Sequence, residues 1–208
     1  MREDFLAVIE NRKRSTFLVI CLLALAFLFL KKTFIEDRTM AFEFLAGRPE
    51  GASLTLRSAF QYLSIPIIYL WKFTVIGFVV WVGCFTLGFR ITYGQCWRVV
   101  MASELVWFVP EALKILYFQF VVTNPDFYLI QAFYPLSMMN FADYTTLPDA
   151  WHYPLKSLNV FEVGYMLVLA QGLALVSGRA YREMLRVILV GYLPLFLGWL
   201  AFWVMVYR

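Results

Sequence analysis

Long apolar runs alternate with two polar intervals along this chain. The first run, Phe17 to Leu30 (FLVICLLALAFLFL), lies between Arg12-Lys13-Arg14 and Lys31-Lys32. Its apolar core is shorter than the ~20 residues a helix needs to cross a bilayer. The flanking Lys and Arg side chains can reach to the interface, and Ser15 and Thr16 extend the helix, so a span over 15–32 is predicted. A cleaved signal peptide is the rival reading, but no small-residue cleavage site follows the run. Residues 31–58 form a polar interval with Gly47, Pro49 and Gly51, in which Phe42, Phe44 and Leu45 are placed to rest on a membrane surface.

The second run, Ala59 to Phe89, is too long for one straight span. Pro66 and Lys72 divide it, which predicts an interfacial approach up to Ile65 and a span over 66–89. Gly77, Gly83 and Gly88 fall within that span, and small residues let helices approach closely. A third span is predicted over 97–121, carrying Glu104, Pro110, Glu111 and Lys114. A mixed interval, 122–157, precedes a fourth span over 158–177. Gly178 is suited to cap that helix at its C-terminus. The fifth span, 185–207, contains Pro194, which membrane helices tolerate when neighbours satisfy the freed carbonyl. The pattern therefore predicts an all-α, polytopic transmembrane bundle of about five spans. Interfacial or re-entrant segments are expected between spans three and four, with 1–208 as a single integral membrane domain.

Composition strengthens this picture and narrows the chemistry. Of the 208 residues, 62% are of the AVILMFWYC set and 15% are charged, with a mean hydropathy of +0.71. Soluble domains average roughly 45–50% apolar, so a soluble enzyme, a disordered chain and a collagen-like chain are excluded. The lipid bilayer is the expected partner. The net charge of +4 is too small and too scattered for a nucleic-acid binder. Basic residues report orientation instead: the 122–157 interval holds one Lys and three Asp, which suits the outer side. This places the N-terminus in the cytoplasm and the C-terminus outside. Cys21, Cys84 and Cys96 have no short spacing, form neither a disulfide framework nor a zinc site, and read as packing residues. The single His152 makes no metal site. Walker A, GxSxG, HExxH and GxGxxG sequences do not occur. No catalytic residue, cofactor or metal is expected.

Five ionisable residues fall inside apolar stretches: Lys72, Glu104, Glu111, Lys114 and Glu162. Such residues are costly in hydrocarbon and face a bundle interior or a cavity. Counting helical rise puts Lys72, Glu111, Lys114 and Glu162 in the outer half of the membrane, two acids against two bases, with Glu104 alone towards the inner end. Glu104 and Glu111 are expected to share one helix stripe, and Glu111 and Lys114 one face. Three readings stay open: a structural ion-pair cluster, a proton or ion path, and charges facing a partner subunit.

The interval between spans three and four repeats itself. Tyr134-Pro135-Leu136, followed by Asn140 and Asp143, is echoed by Tyr153-Pro154-Leu155, followed by Asn159 and Glu162. Each copy reads as a helical turn started by Pro at one membrane surface. A re-entrant pair contributing to a site is the functional alternative. Asp143, Asp149 and His152 give a weaker third possibility, a lipid-handling enzyme at the outer interface.

The runs FQYLSIPIIYLWKF, ELVWFVPEALKI and FYPLSMMNF…HYPLKSLNVFE, in a block of Gly- and Pro-containing helices over 60–208, resemble the Yip1-domain family of small polytopic membrane proteins, in particular its bacterial relatives. The resemblance implies a non-enzymatic membrane scaffold, here in a bacterial inner membrane. It transfers no catalytic residues, and the short polar segment before span one departs from the longer one of eukaryotic relatives. The leading expectation is thus a scaffold or accessory subunit that works with other membrane protein subunits. The second is a small transporter or ion-conducting protein using the intramembrane Glu/Lys cluster.

Overall fold

The computed structural model describes residues 13–36, 49–122 and 127–207. The residues before 13, and the surface-resting Phe42, Phe44 and Leu45, lie outside these. Among the described residues the fold is helical without strands. α1 is Lys13–Lys31, continued by a π turn Lys32–Glu36; α2 is Pro49–Thr86; α3 is Tyr93–Ser103. A 3-10 turn, Glu104–Trp107, leads into α4, Phe108–Phe120. α5 (Phe127–Ala132), a 3-10 turn Met138–Phe141 and α6 (Asp149–Ser157) make up the cap. α7 is Val160–Ser177 and α8 is Tyr181–Val187; a π turn Ile188–Tyr192 then joins α9, Leu193–Val206.

Four helical stretches are long and apolar enough to cross a membrane: Arg14–Ile35, Ala59–Thr86, Val160–Ser177 and Tyr181–Val206. The predicted fifth, 97–121, is not one of them. It consists of two short α-helices, of 11 and 13 residues, joined by the 3-10 turn, and it carries Glu104, Glu111 and Lys114. The expected division of α2 at Pro66 is also corrected. Pro66 sits inside one 38-residue helix that starts at Pro49, within the interval read as polar. Pro suits the first turn of a helix, which explains the start at Pro49. Gly178, in contrast, caps α7 as expected, with φ 68° and its N–H on the Ala174 carbonyl.

α2 and α3 form an antiparallel hairpin closed by the 87–92 turn. Thr92 caps α3 and exchanges hydrogen bonds with Gln95. Phe73, Val80, Val100, Tyr165, Leu169, Leu173 and Ile188 form the core between α2, α3, α7 and the α8–α9 helix. α1 lies against this core through the edge contact of Phe17 with Phe73 and the stacked pair Phe27–Phe108. Cys21, Cys84 and Cys96 are buried free thiols within the packing.

Two close helix crossings set these distances. A Cβ on Gly191 would lie 3.2 Å from the Cα of Gly83, and one on Gly172 only 2.6 Å from a Val99 methyl. Val99 is buried and β-branched, so it has little freedom to move aside. Gly172→Ala is therefore expected to destabilise the protein by about 1–3 kcal/mol through overpacking. A Cβ on Gly198 would meet nothing within 4 Å, and Gly198→Ala is expected to be neutral or to stabilise by about 0.5–1 kcal/mol. Thermal unfolding in detergent compares the two.

Candidate functional site

The 3-10 turn after α3 brings Glu104 to the centre of the bundle, where it is 1% exposed. Lys72 approaches from α2 and its Nζ lies 2.6 Å from Glu104 Oε1; the Lys72 side chain is 33% exposed and that of Glu104 1%. This corrects the expectation that Glu104 stands alone. The hairpin runs antiparallel, and the long Lys stem covers the offset between the two positions. A charge-assisted hydrogen bond of this length is among the strong ones. Breaking such a pair in an apolar interior leaves a charge that nothing compensates.

Trp107 closes the same turn. Side chains at i and i+3 eclipse in a 3-10 helix, so Trp107 and Glu104 leave the turn on the same side. The Lys72 ammonium is 5.4 Å from the centre of the Trp107 ring, a distance at which the ring face attracts a cation. The Trp107 ring in turn contacts that of Tyr165, 5.8 Å away on α7. Glu104 Oε2, Trp107 Nε1 and Tyr165 Oη are all buried without a hydrogen-bond partner among the described residues.

Beyond Tyr165 the polar groups continue. Its ring meets Tyr192 edge-on at 6.0 Å, and the Tyr192 hydroxyl donates to Glu162 Oε1 at 2.8 Å. Glu162 is buried in the first turn of α7, where the side chain of the N-cap Asn159 accepts from its backbone N–H at 2.9 Å. A carboxylate suits this end of a helix. Tyr192 owes its place to the π turn: Pro194 has no N–H to donate, and Leu193 N–H reaches back five residues to Ile188. The result is a buried seam, Lys72–Glu104, Trp107, Tyr165, Tyr192–Glu162, drawn from four helical elements.

The remaining predicted residues fall elsewhere. Lys114 contacts the cap: its ammonium donates to the carbonyls of Ile130, at 2.9 Å, and Phe133, at 3.0 Å. It thereby ties down the C-terminal end of α5, helped by Phe133 stacking on Tyr117 at 4.1 Å. Glu111 is half-buried while Glu104 is fully buried. The 3-10 turn between them shifts the helical register, so the expected common stripe is broken. The charge of Glu111 reaches Tyr134, whose hydroxyl is pushed above its ordinary value by burial first and then by Glu111 and Glu162.

The two echoed segments meet, but as unlike structures. Ser137 bridges Asn159, with Met138 N–H on the Leu158 carbonyl and Val160 N–H on that of Leu136. Neither proline starts a helix, contrary to expectation. Pro135 lies before Leu136, which has φ 51°, and Pro154 lies inside α6. Asn159, rather than a proline, opens α7, while Asn140 is exposed. Tyr153 fastens α6 to α9, accepting from Trp199 Nε1 at 3.2 Å and packing on Trp203. Asp143 accepts from the Thr145 hydroxyl and N–H, which hold its carboxyl below the usual range. His152 stacks on Tyr144 and lies 3.5 Å from Asp149. Asp143 is thus engaged by Thr145 and not by the histidine. No group of three or more His, Cys, Asp or Glu able to hold a metal occurs among the described residues.

No family model, no characterised protein and no solved structure matches this chain. The resemblance to Yip1-domain proteins rests on the sequence runs alone.

Sequence reasoning misses Trp107, Tyr165 and Tyr192. A signal is present for two of them: Glu104-x-x-Trp107 and Glu162-x-x-Tyr165 each place an aromatic with a polar tip one turn after a buried acid. The ion pair itself gives a direct test. Lys72→Met is expected to destabilise the protein by about 3–5 kcal/mol, and Lys72→Met with Glu104→Met together to restore most of that loss. A double-mutant cycle of unfolding in detergent measures both.

Proposed function

We propose that this is a small integral membrane protein that carries protons or cations along the Lys72–Glu104 to Glu162 seam. In this reading the four apolar helices cross the bilayer and the broken α3–α4 helix makes a fifth passage among them, its charges shielded from lipid. The N-terminus is cytoplasmic, the C-terminus outside, and the setting a bacterial inner membrane. The observation that supports transport is the arrangement of the two acids. Glu104 and Glu162 come from different helical elements and are linked through the buried Tyr165 and the half-buried Tyr192. Intramembrane acids in such pairs mark ion and proton pathways. No catalytic role is assigned to the cap.

The partial exposure of Lys72 favours a second reading, an accessory subunit or scaffold of the Yip1 type. A side chain one-third exposed on the flank of α2 is open to an acidic residue of another membrane subunit. The two readings separate experimentally. Reconstituted in vesicles with an internal pH indicator, the purified protein is expected to pass protons or cations, and Glu104→Gln and Glu162→Gln each to abolish that flux. Absence of flux in the unaltered protein, together with a crosslink from position 72 to another subunit in native membranes, would establish the scaffold instead.

A further inference from the structure

Three buried polar atoms have no hydrogen-bond partner among the described residues, and all three belong to the seam: Glu104 Oε2, Trp107 Nε1 and Tyr165 Oη. They are brought together by separate constraints. The 3-10 turn eclipses Glu104 and Trp107. The ring contact at 5.8 Å joins Trp107 to Tyr165. The Lys72 ammonium, bonded to the other oxygen of Glu104, also lies over the Trp107 ring. Leaving a polar group buried and unpaired costs about 1–3 kcal/mol. Three such groups on neighbouring residues point to a shared ligand.

The chemistry of the three atoms defines that ligand. Trp107 Nε1 can only donate, a carboxylate oxygen can only accept, and the Tyr165 hydroxyl can do either. A bare metal cation is a poor fit, because hard cations take about six or more oxygen ligands and the indole N–H turns its positive end towards them. One water fits all three. It accepts from the indole, donates to Glu104 Oε2 and pairs with the tyrosine, and buried waters make about three hydrogen bonds. We propose that Glu104, Trp107 and Tyr165 hold a single internal water, and that this water makes the seam selective for protons over alkali cations. The selectivity rests on the transport reading above; the water does not. The water takes a proton from the Tyr165 side and releases one of its own to Glu104 Oε2, returning to neutral water, so charge moves without any metal ion entering the site.

Two measurements on the full chain test this separately. Infrared spectroscopy of the reconstituted protein is expected to show a buried-water O–H band that shifts on exchange into heavy-oxygen water and disappears in Tyr165→Phe. Absence of that band, or its persistence in both Tyr165→Phe and Trp107→Phe, overturns the water whatever the flux. In vesicles, proton flux is expected to exceed sodium and potassium flux, and Tyr165→Phe to lower it about tenfold, the loss of one hydrogen bond to the relay. Equal passage of alkali cations overturns the selectivity while leaving transport standing. A water band with no flux of any ion overturns both the selectivity and the transport reading. Thermal unfolding of Tyr165→Phe close to that of the unaltered protein shows that the flux change is not a loss of fold.

Discussion

The structure depends on burying Glu104 beside Lys72. A lone carboxylate in an apolar interior costs several kcal/mol, and only a partner of opposite charge with good geometry offsets that. The pairing fixes how far α2 and α3 slide past one another, because Lys72 and Glu104 meet at 2.6 Å. The other close approaches follow the same register: the backbone and side chain of Trp97 lie against Gly77, and a Val99 methyl lies against Gly172. Packing at the glycines is tight but without direction. The charged pair selects one alignment among those the apolar surfaces allow.

The second constraint is local and concerns helical geometry. Two of the departures from the α-helix shape the seam. The 3-10 turn at Glu104–Trp107 turns an acid and an indole to the same side, and the π turn at Ile188–Tyr192 brings a tyrosine onto Glu162. Each departure changes the direction of one side chain while the flanking helix continues. The cap is organised differently. Lys114, Tyr153 and Asn159 each join two elements there, through backbone carbonyls, an indole and a helix start.

The apolar helices are legible in the sequence because continuous hydrophobic runs bounded by charges carry their own signal. The first, fourth and fifth runs and the Gly178 cap fall close to the expected positions. Pro66 misleads because a proline inside a long apolar helix is tolerated more readily than its appearance in a sequence suggests. Residues 97–121 mislead when length alone is weighed, while three charges and a change of helix type interrupt the run. The ion pair is hidden for another reason: depth estimated by counting residues from assumed span ends puts Lys72 and Glu104 in opposite halves. That count starts from Pro66 and Trp97, whereas the helices themselves begin at Pro49 and Tyr93. The seam aromatics carry a periodic signal three residues after each acid, but it is faint in a chain with 19% aromatic residues.

The Lys72–Glu104 pair also bears on how the chain is assembled. Its members are 32 positions apart, on the two arms of the α2–α3 hairpin. On the membrane reading proposed above, either arm alone would bring an uncompensated charge into hydrocarbon, whereas the closed hairpin brings in a neutral dipole. The broken helix cannot be treated as a unit that enters by itself after α2 is in place. The physically economical unit of biogenesis is then the hairpin with the two charges already joined.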